Sequence, residues 1–190
     1  MKTLCLLGSP KVRGNSTVLA ARYCETAEKL GSQVQTFILN KLSYSGCQGC
    51  RTCKAKSDRC VLKDDLTDVL EAVREADVLV MATPVYFGDV SSQLKGFIDR
   101  TVSYVADDDT NPYASRLSPG KTLVFIQTQG DSDEMIHADI FPKYEFFFKK
   151  WHGFGETYFI LACGFIGKVH VEDCEDVMKL AEETAEKVMA

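Results

Sequence analysis

The chain has 190 residues, enough to bury a full core without disulfide staples, and it reads as one domain spanning 1–190. A hydrophobic content of 45% beside 26% charged residues is ordinary for a globular protein. A net charge of −5 with no basic stripe argues against nucleic acid as a partner. No apolar run approaches the roughly 18–20 residues that cross a bilayer, so no membrane partner is expected. Gly8-Ser9-Pro10 interrupts the opening stretch too early for a signal peptide. A cytoplasmic location is therefore expected, where thiols stay mostly reduced and disulfides are the weaker reading of a cysteine cluster.

In chain order, Leu4-Cys5-Leu6-Leu7 is a continuous apolar run that predicts a strand buried on both faces. Val18, Leu19, Tyr23, Ala27 and Leu30 recur at helical spacing after the polar Asn15-Ser16-Thr17, and Gly31 ends that helix. Val34 to Leu39 reads as a second strand, and a helix from about Asp65 to Glu75 places Leu66, Val69, Leu70 and Val73 on one side. Asp77 to Ala82 is the clearest buried strand, and a helix over about 89–102 carries Val90, Leu94, Phe97 and Ile98 inward. After a polar loop (Ala106 to Gly120), Thr122 to Ile126 is a fourth strand. Pro142 suits a first helical turn, with Tyr144, Phe147, Phe148 and Trp151 as an aromatic face. Tyr158 to Ala162 is a fifth strand, and Val177, Leu180, Ala181, Ala185 and Val188 mark a closing helix. Alternating strands and helices predict an α/β, doubly wound five-stranded parallel sheet covered on both faces, with right-handed crossovers.

Two loops carry candidate chemistry. Residues Gly8 to Thr17 join a buried strand to a helix, and their backbone amides, with Ser9, Asn15, Ser16 and Thr17, suit a phosphate. No Lys-Ser/Thr pair follows Gly14, and the dinucleotide Gly-x-Gly-x-x-Gly spacing is absent, so a single phosphomonoester such as that of FMN fits better. The bland alternative is an ordinary strand-to-helix turn capped by Asn15 or Ser16. Thr83-Pro84-Val85-Tyr86-Phe87-Gly88-Asp89 leaves the most buried strand where ligands bind in such sheets. Its amides from Val85 to Gly88 could meet the polar edge of a flat ring, and Tyr86 and Phe87 offer aromatic surfaces.

Cys47, Cys50, Cys53 and Cys60 form the third feature, in a loop over 43–62. Thiolates at Cys-x2-Cys-x2-Cys spacing can ligate corners of one iron–sulfur cluster, whereas structural zinc sites usually pair two separate knuckles. Free thiols, zinc or a disulfide remain the alternatives. Cys5 and Cys163, in or ending strands, are expected to be small core residues, and Cys24 and Cys174 carry no assigned role. His137, His152 and His170 are scattered, His152 reading as a helix-end residue, and Asp107-Asp108-Asp109 reads as a solvated rim.

Gly8-Ser9-Pro10 with Gly14-Asn15-Ser16, then Thr83 to Gly88 and Leu94-Lys95-Gly96-Phe97-Ile98-Asp99-Arg100, resemble the flavodoxin-like NAD(P)H-dependent FMN reductase family. The cysteine loop running into Cys60-Val61-Leu62-Lys63-Asp64-Asp65 is most similar to that of the iron–sulfur flavoproteins. The resemblance is strong over residues 1–105, and downstream it rests on Thr128-Gln129-Gly130-Asp131. It implies FMN with its phosphate on Ser9, Arg13, Asn15, Ser16 and Thr17 and its ring on Pro84, Val85, Tyr86, Phe87, Gly88 and Asp89. Thr128, Gln129 and Gly130 would flank the ring from the other side. It further implies a [4Fe-4S] cluster on Cys47, Cys50, Cys53 and Cys60, although similar flavin reductases carry a cysteine-bearing loop here without one. Such members commonly form homodimers or homotetramers.

The expected function is an FMN-dependent NAD(P)H oxidoreductase with an unidentified electron acceptor, such as a ferredoxin, a quinone or free flavin. No catalytic side chain is assigned, because the flavin supplies the chemistry. The sheet order expected is 2-1-3-4-5, which puts the cysteine loop on the flavin's edge. The competing readings are a flavodoxin-type carrier without nicotinamide oxidation, and a thiol or zinc sensor on the same fold.

Overall fold

The computed structural model describes residues 1–107, 111, 114–167 and 169–190. The apolar runs become β1 (Lys2–Leu7), β2 (Gln33–Ile38), β3 (Val78–Tyr86), β5 (Thr122–Thr128) and β6 (Thr157–Ala162), with a two-residue β4 (Asp89–Val90). The periodic segments become α1 (Asn15–Lys29), α3 (Leu66–Glu75), α4 (Ser92–Arg100), α5 (Ile140–His152) and α6 (Glu175–Met189). A single-turn α2 (Thr52–Ala55) lies in the cysteine loop.

The five long strands are parallel, in the order β2-β1-β3-β5-β6, with β4 pairing only with β3. That path follows the anticipated order and differs from it only by the inserted β4. Successive residues of β1 alternate between the two layers. Leu4 and Leu6 join one core with α3, α4 and α5, while Cys5 and Leu7 join the other with α1 and α6. Among the described residues no helix is long and apolar enough to cross a membrane.

The helix expected over 89–102 is shorter than its apolar spacing implied. Phe87 (φ 50°) and Gly88 (φ 84°) take left-handed backbone and reverse the chain. Val90 then pairs with Val85, and Asp89 with Tyr86. Only after that hairpin does Ser91 begin α4, its hydroxyl accepting from the Leu94 amide at 3.3 Å. Beyond Arg100 the chain tightens into a 3-10 turn over Thr101–Tyr104. A second departure concerns α5, where Tyr144 and Phe148 are buried but Phe147 and Trp151 stay partly open along a cavity beside α4. Cys5 is buried as expected, but Cys163 is only half-buried and outside both cores, because it lies just beyond β6. Of the Asp107-Asp108-Asp109 run, Asp107 faces Arg51 at 3.4 Å, and Asp108 and Asp109 lie outside the described residues.

Candidate functional site

The loops leaving β1, β3 and β5 meet at the carboxyl edge of the sheet and enclose a cleft of about 260 Å³. Ser9, Asn15, Ser16, Pro84, Val85, Tyr86, Thr128, Gln129 and Gly130 all line it. Parallel pairing brings them together: Leu7, the last residue of β1, is in register with Ala82, and Thr128, the last of β5, with Pro84, so the three loops leave the same edge of the sheet.

The first loop turns because its neighbours approach very closely. The Gly8 amide donates to the Ala82 carbonyl at 2.8 Å, and the Ser91 hydroxyl donates to the Gly8 carbonyl at 2.7 Å. A Cβ on Gly14 would stand 2.6 Å from Ser9 Oγ, so any larger residue there would displace the Ser9 hydroxyl. Gly14 precedes α1 without a side-chain cap, and the helix's first turn carries no acidic residue. Its leading amides and positive dipole end therefore favour an anion in the cleft. Ser16 Oγ is buried in this wall and has no hydrogen-bond partner, although a buried hydroxyl normally finds one.

Other anticipated phosphate ligands are engaged elsewhere. Asn15 Oδ1 accepts from the Val171 amide at 3.2 Å, the Thr17 hydroxyl reaches the Lys11 carbonyl at 3.4 Å, and Arg13 pairs with Glu172 at 3.0 Å. Neither Arg13 nor Thr17 lines the cleft. In the second loop, Phe87 stands fully exposed at the hairpin tip with Gly88, and neither lines the cleft. Asp89 instead accepts from Lys143 and from the Tyr144 hydroxyl, each at 2.8 Å. Burial alone would raise its carboxyl, but these two donors outweigh burial and hold it below the usual range.

Sequence reasoning missed Lys11, Phe165, Ile166 and Gly167, which also line the cleft. The Phe165 amide donates to the Gln129 carbonyl at 3.2 Å, and Ile166 packs over Gly130. The available signal was Gly164-Phe165-Ile166-Gly167, whose two glycines take φ of +82° and +67° just after β6.

Cys47, Cys50, Cys53 and Cys60 line a second, smaller cavity of about 130 Å³ beneath the loop after β2. Arg51, at φ 56°, turns the chain into α2, which carries Cys53 inward. The loop is clamped from below: Arg116 donates to the Cys53 carbonyl at 2.7 Å, and Arg100 to the Ser45 carbonyl at 2.9 Å and the Leu62 carbonyl at 3.3 Å. The Gly49 amide points at Cys47 Sγ at 3.5 Å. The Thr52 amide, and then its hydroxyl, lower the pKa of the Cys50 thiol, whereas burial raises that of Cys53. Among the described residues no three His, Cys, Asp or Glu side chains converge as they would on a single metal ion. Cys47, Cys50, Cys53 and Cys60 instead share the lining of one cavity.

Residues 1–143 match the NADPH-dependent FMN reductase family, and the chain belongs to it. It is 36% identical over 104 residues to an iron-sulfur flavoprotein of Archaeoglobus fulgidus, a match covering 55% of this chain and 47% of that protein. A second iron-sulfur flavoprotein, from Methanocaldococcus jannaschii, is 35% identical over 101 residues, covering 53% of this chain and 52% of its own. The chain thus spans about half the length of these curated relatives. Among solved structures, an FMN-dependent NADH-azoreductase from Bacillus anthracis, in complex with FMN, shares the fold with a TM-score of 0.77 at 17% identity over the whole of both chains. An NAD(P)H:quinone oxidoreductase from Methanothermobacter marburgensis does so with a TM-score of 0.74 at 16% identity, covering 100% of this chain and 98% of its own.

Proposed function

We propose that this protein is an FMN-dependent NAD(P)H oxidoreductase that carries a [4Fe-4S] cluster on Cys47, Cys50, Cys53 and Cys60 and passes electrons to an external acceptor. The observation that carries the flavin assignment is the buried, partnerless Ser16 hydroxyl beside the uncapped start of α1, in a cleft formed by all three anticipated loops. A phosphate there supplies the missing acceptor for Ser16 and for the first amides of α1. Pro84, Val85 and Tyr86 bound one side of the ring site, and Thr128, Gln129 and Gly130 the other. Phe165 and Ile166 add apolar surface to the lining of the site. Bound in these places, FMN supplies one- and two-electron chemistry and the cluster supplies single-electron chemistry.

The cluster assignment draws on the cavity shared by the four cysteines, the lowered Cys50 pKa and the similarity to iron–sulfur flavoproteins. The acceptor class is a ferredoxin, a quinone or free flavin, and the assembly is a homodimer or homotetramer of this single domain. An absorption spectrum of anaerobically purified protein, with iron and sulfide analysis, tests both cofactors. Flavin bands with a broad shoulder and about four irons per chain support the whole reading. Flavin bands alone remove the cluster, and the absence of flavin after incubation with FMN removes the assignment itself. Steady-state oxidation of NADH and NADPH then separates an enzyme from a flavodoxin-type carrier.

A further inference from the structure

The cavity beneath the cysteine loop is cationic as well as rich in sulfur. Arg51, Lys54 and Arg100 line it beside the four cysteines, and among the described residues no aspartate or glutamate does. Two of these cations are neutralised from outside the lining. Arg51 pairs with Asp107 at 3.4 Å, and Arg100 with Asp64 at 2.8 Å.

Lys54 is not neutralised. It is half-buried, it forms no ion pair among the described residues, and its ammonium donates to the Val105 carbonyl. Arg116 is likewise half-buried and without a carboxylate among the described residues. Its guanidinium donates to the Cys53 carbonyl at 2.7 Å and to the Ser103 carbonyl at 3.0 Å. The two cations thus meet at Cys53, one bonded to its carbonyl and the other next to it in the chain. Burial lowers the Lys54 pKa, Cys53 opposes that, and Arg116 lowers it further. Carboxylates are not scarce, since the chain carries 27 Asp and Glu against 22 Lys and Arg. Holding two like charges, half-buried and uncompensated, beside one residue costs free energy that an anion in the cavity offsets.

From the carboxylate-free lining and the two uncompensated cations at Cys53, we propose that Lys54 and Arg116 are charge-tuning residues, which favour the more negative, one-electron-reduced form of a [4Fe-4S] group held by the four cysteines and so raise its reduction potential. The inference rests on the cluster reading above. One electron, supplied by the reduced flavin, adds one negative charge to a centre already made anionic by its thiolates. Net charge and hydrogen bonding are what set the potentials of such centres. A half-buried cation is screened less than an exposed one, so Lys54 acts on that added charge where a surface lysine does not.

The test is a mediated redox titration of anaerobically purified protein, poised with dithionite, followed by the paramagnetic signal of the reduced cluster and normalised to iron and sulfide content. Lys54→Gln is expected to lower the midpoint by about 59 mV, a tenfold loss in the reduction equilibrium of a one-electron couple. Lys54→Arg keeps the charge and should keep the parent midpoint. Lys56→Gln makes the same charge change at an exposed position of the same loop, outside the cavity lining, and should leave the midpoint in place. Arg116→Gln should lower the midpoint as Lys54→Gln does, which decides the matter if the Lys54 variant binds less iron. A midpoint unchanged or raised in these two glutamine variants overturns the inference and leaves the cluster assignment standing. So does a shift in Lys54→Arg or Lys56→Gln as large as that in Lys54→Gln. A parent protein without iron and sulfide overturns the cluster assignment, and this inference with it.

Discussion

Replacing Arg100 by methionine tests how the cysteine loop is held. The side chain is wholly buried, and it donates to Asp64 Oδ2 at 2.8 Å and to the carbonyls of Ser45 and Leu62. It therefore joins α4 to both ends of the cysteine segment. Burial works against its charge, and Asp64 and Cys60 restore it. Methionine preserves most of the volume but removes the charge partner of the Asp64 carboxylate and the guanidinium donor to two carbonyls. Removing one partner of a buried ion pair costs about 3–5 kcal/mol. Asp64 keeps some solvent contact, its side chain being 17% exposed, which sets the expectation near the lower end, about 3 kcal/mol. Urea unfolding should then show a midpoint lowered at unchanged slope, and thermal unfolding a Tm reduced by roughly 6–12 °C.

The pH dependence supplies a second check on the same residue. Burial alone would raise the Asp64 carboxyl, but Arg100 and the Ser45 amide hold it below the usual range. A depressed carboxylate contributes stability that is fully present above its unfolded pKa of about 3.9 and is lost as pH falls through the folded value. The parent should lose this increment below about pH 4, and Arg100→Met should not. A stability loss under about 1 kcal/mol, with the acid limb unchanged, would refute the view that this pair anchors the loop.

Further outcomes follow from individual side chains. Ser16→Ala should raise the dissociation constant for FMN about tenfold by flavin fluorescence titration while leaving apoprotein stability equal or slightly higher, because a partnerless hydroxyl is removed. A destabilised apoprotein would mean that Ser16 serves the fold instead. Cys53→Ser should cut iron and sulfide content in anaerobic preparations, whereas Cys163→Ser, far from the loop in sequence and outside its cavity, should leave both unchanged. His152 titrates at about 4 in the folded chain against about 6.5 unfolded, so the unfolded state takes the proton first on acidification. The parent should therefore lose about 3 kcal/mol between pH 7 and pH 4, and His152→Gln should flatten that part of the chemical-denaturation profile.

The place of the first loop was legible because it is local: a buried apolar strand, a glycine turn and a hydroxyl-rich helix start lie within fourteen consecutive residues, Leu4 to Thr17. The cysteine spacing was legible for the same reason. The Phe87–Gly88 reversal was not, because the apolar spacing of Val90, Leu94 and Phe97 suits a helix whether or not a short hairpin precedes it. Asp89 was assigned to the flavin ring on resemblance, yet its carboxylate is drawn to Lys143 and Tyr144, more than fifty positions away in the chain.

Periodicity and local turn chemistry thus determined the alternation of strands and helices and the positions of the loops between them, since these depend on near neighbours in the chain, whereas the sheet order followed from the family resemblance. Tertiary packing alone decided that Phe165 and Ile166 line the cleft, that Arg100 ties down the cysteine loop, and that Phe147 and Trp151 line a cavity rather than fill the core. Each of these contacts joins residues far apart in sequence, and only the pairing of the parallel strands and the fit of helix against helix bring them together.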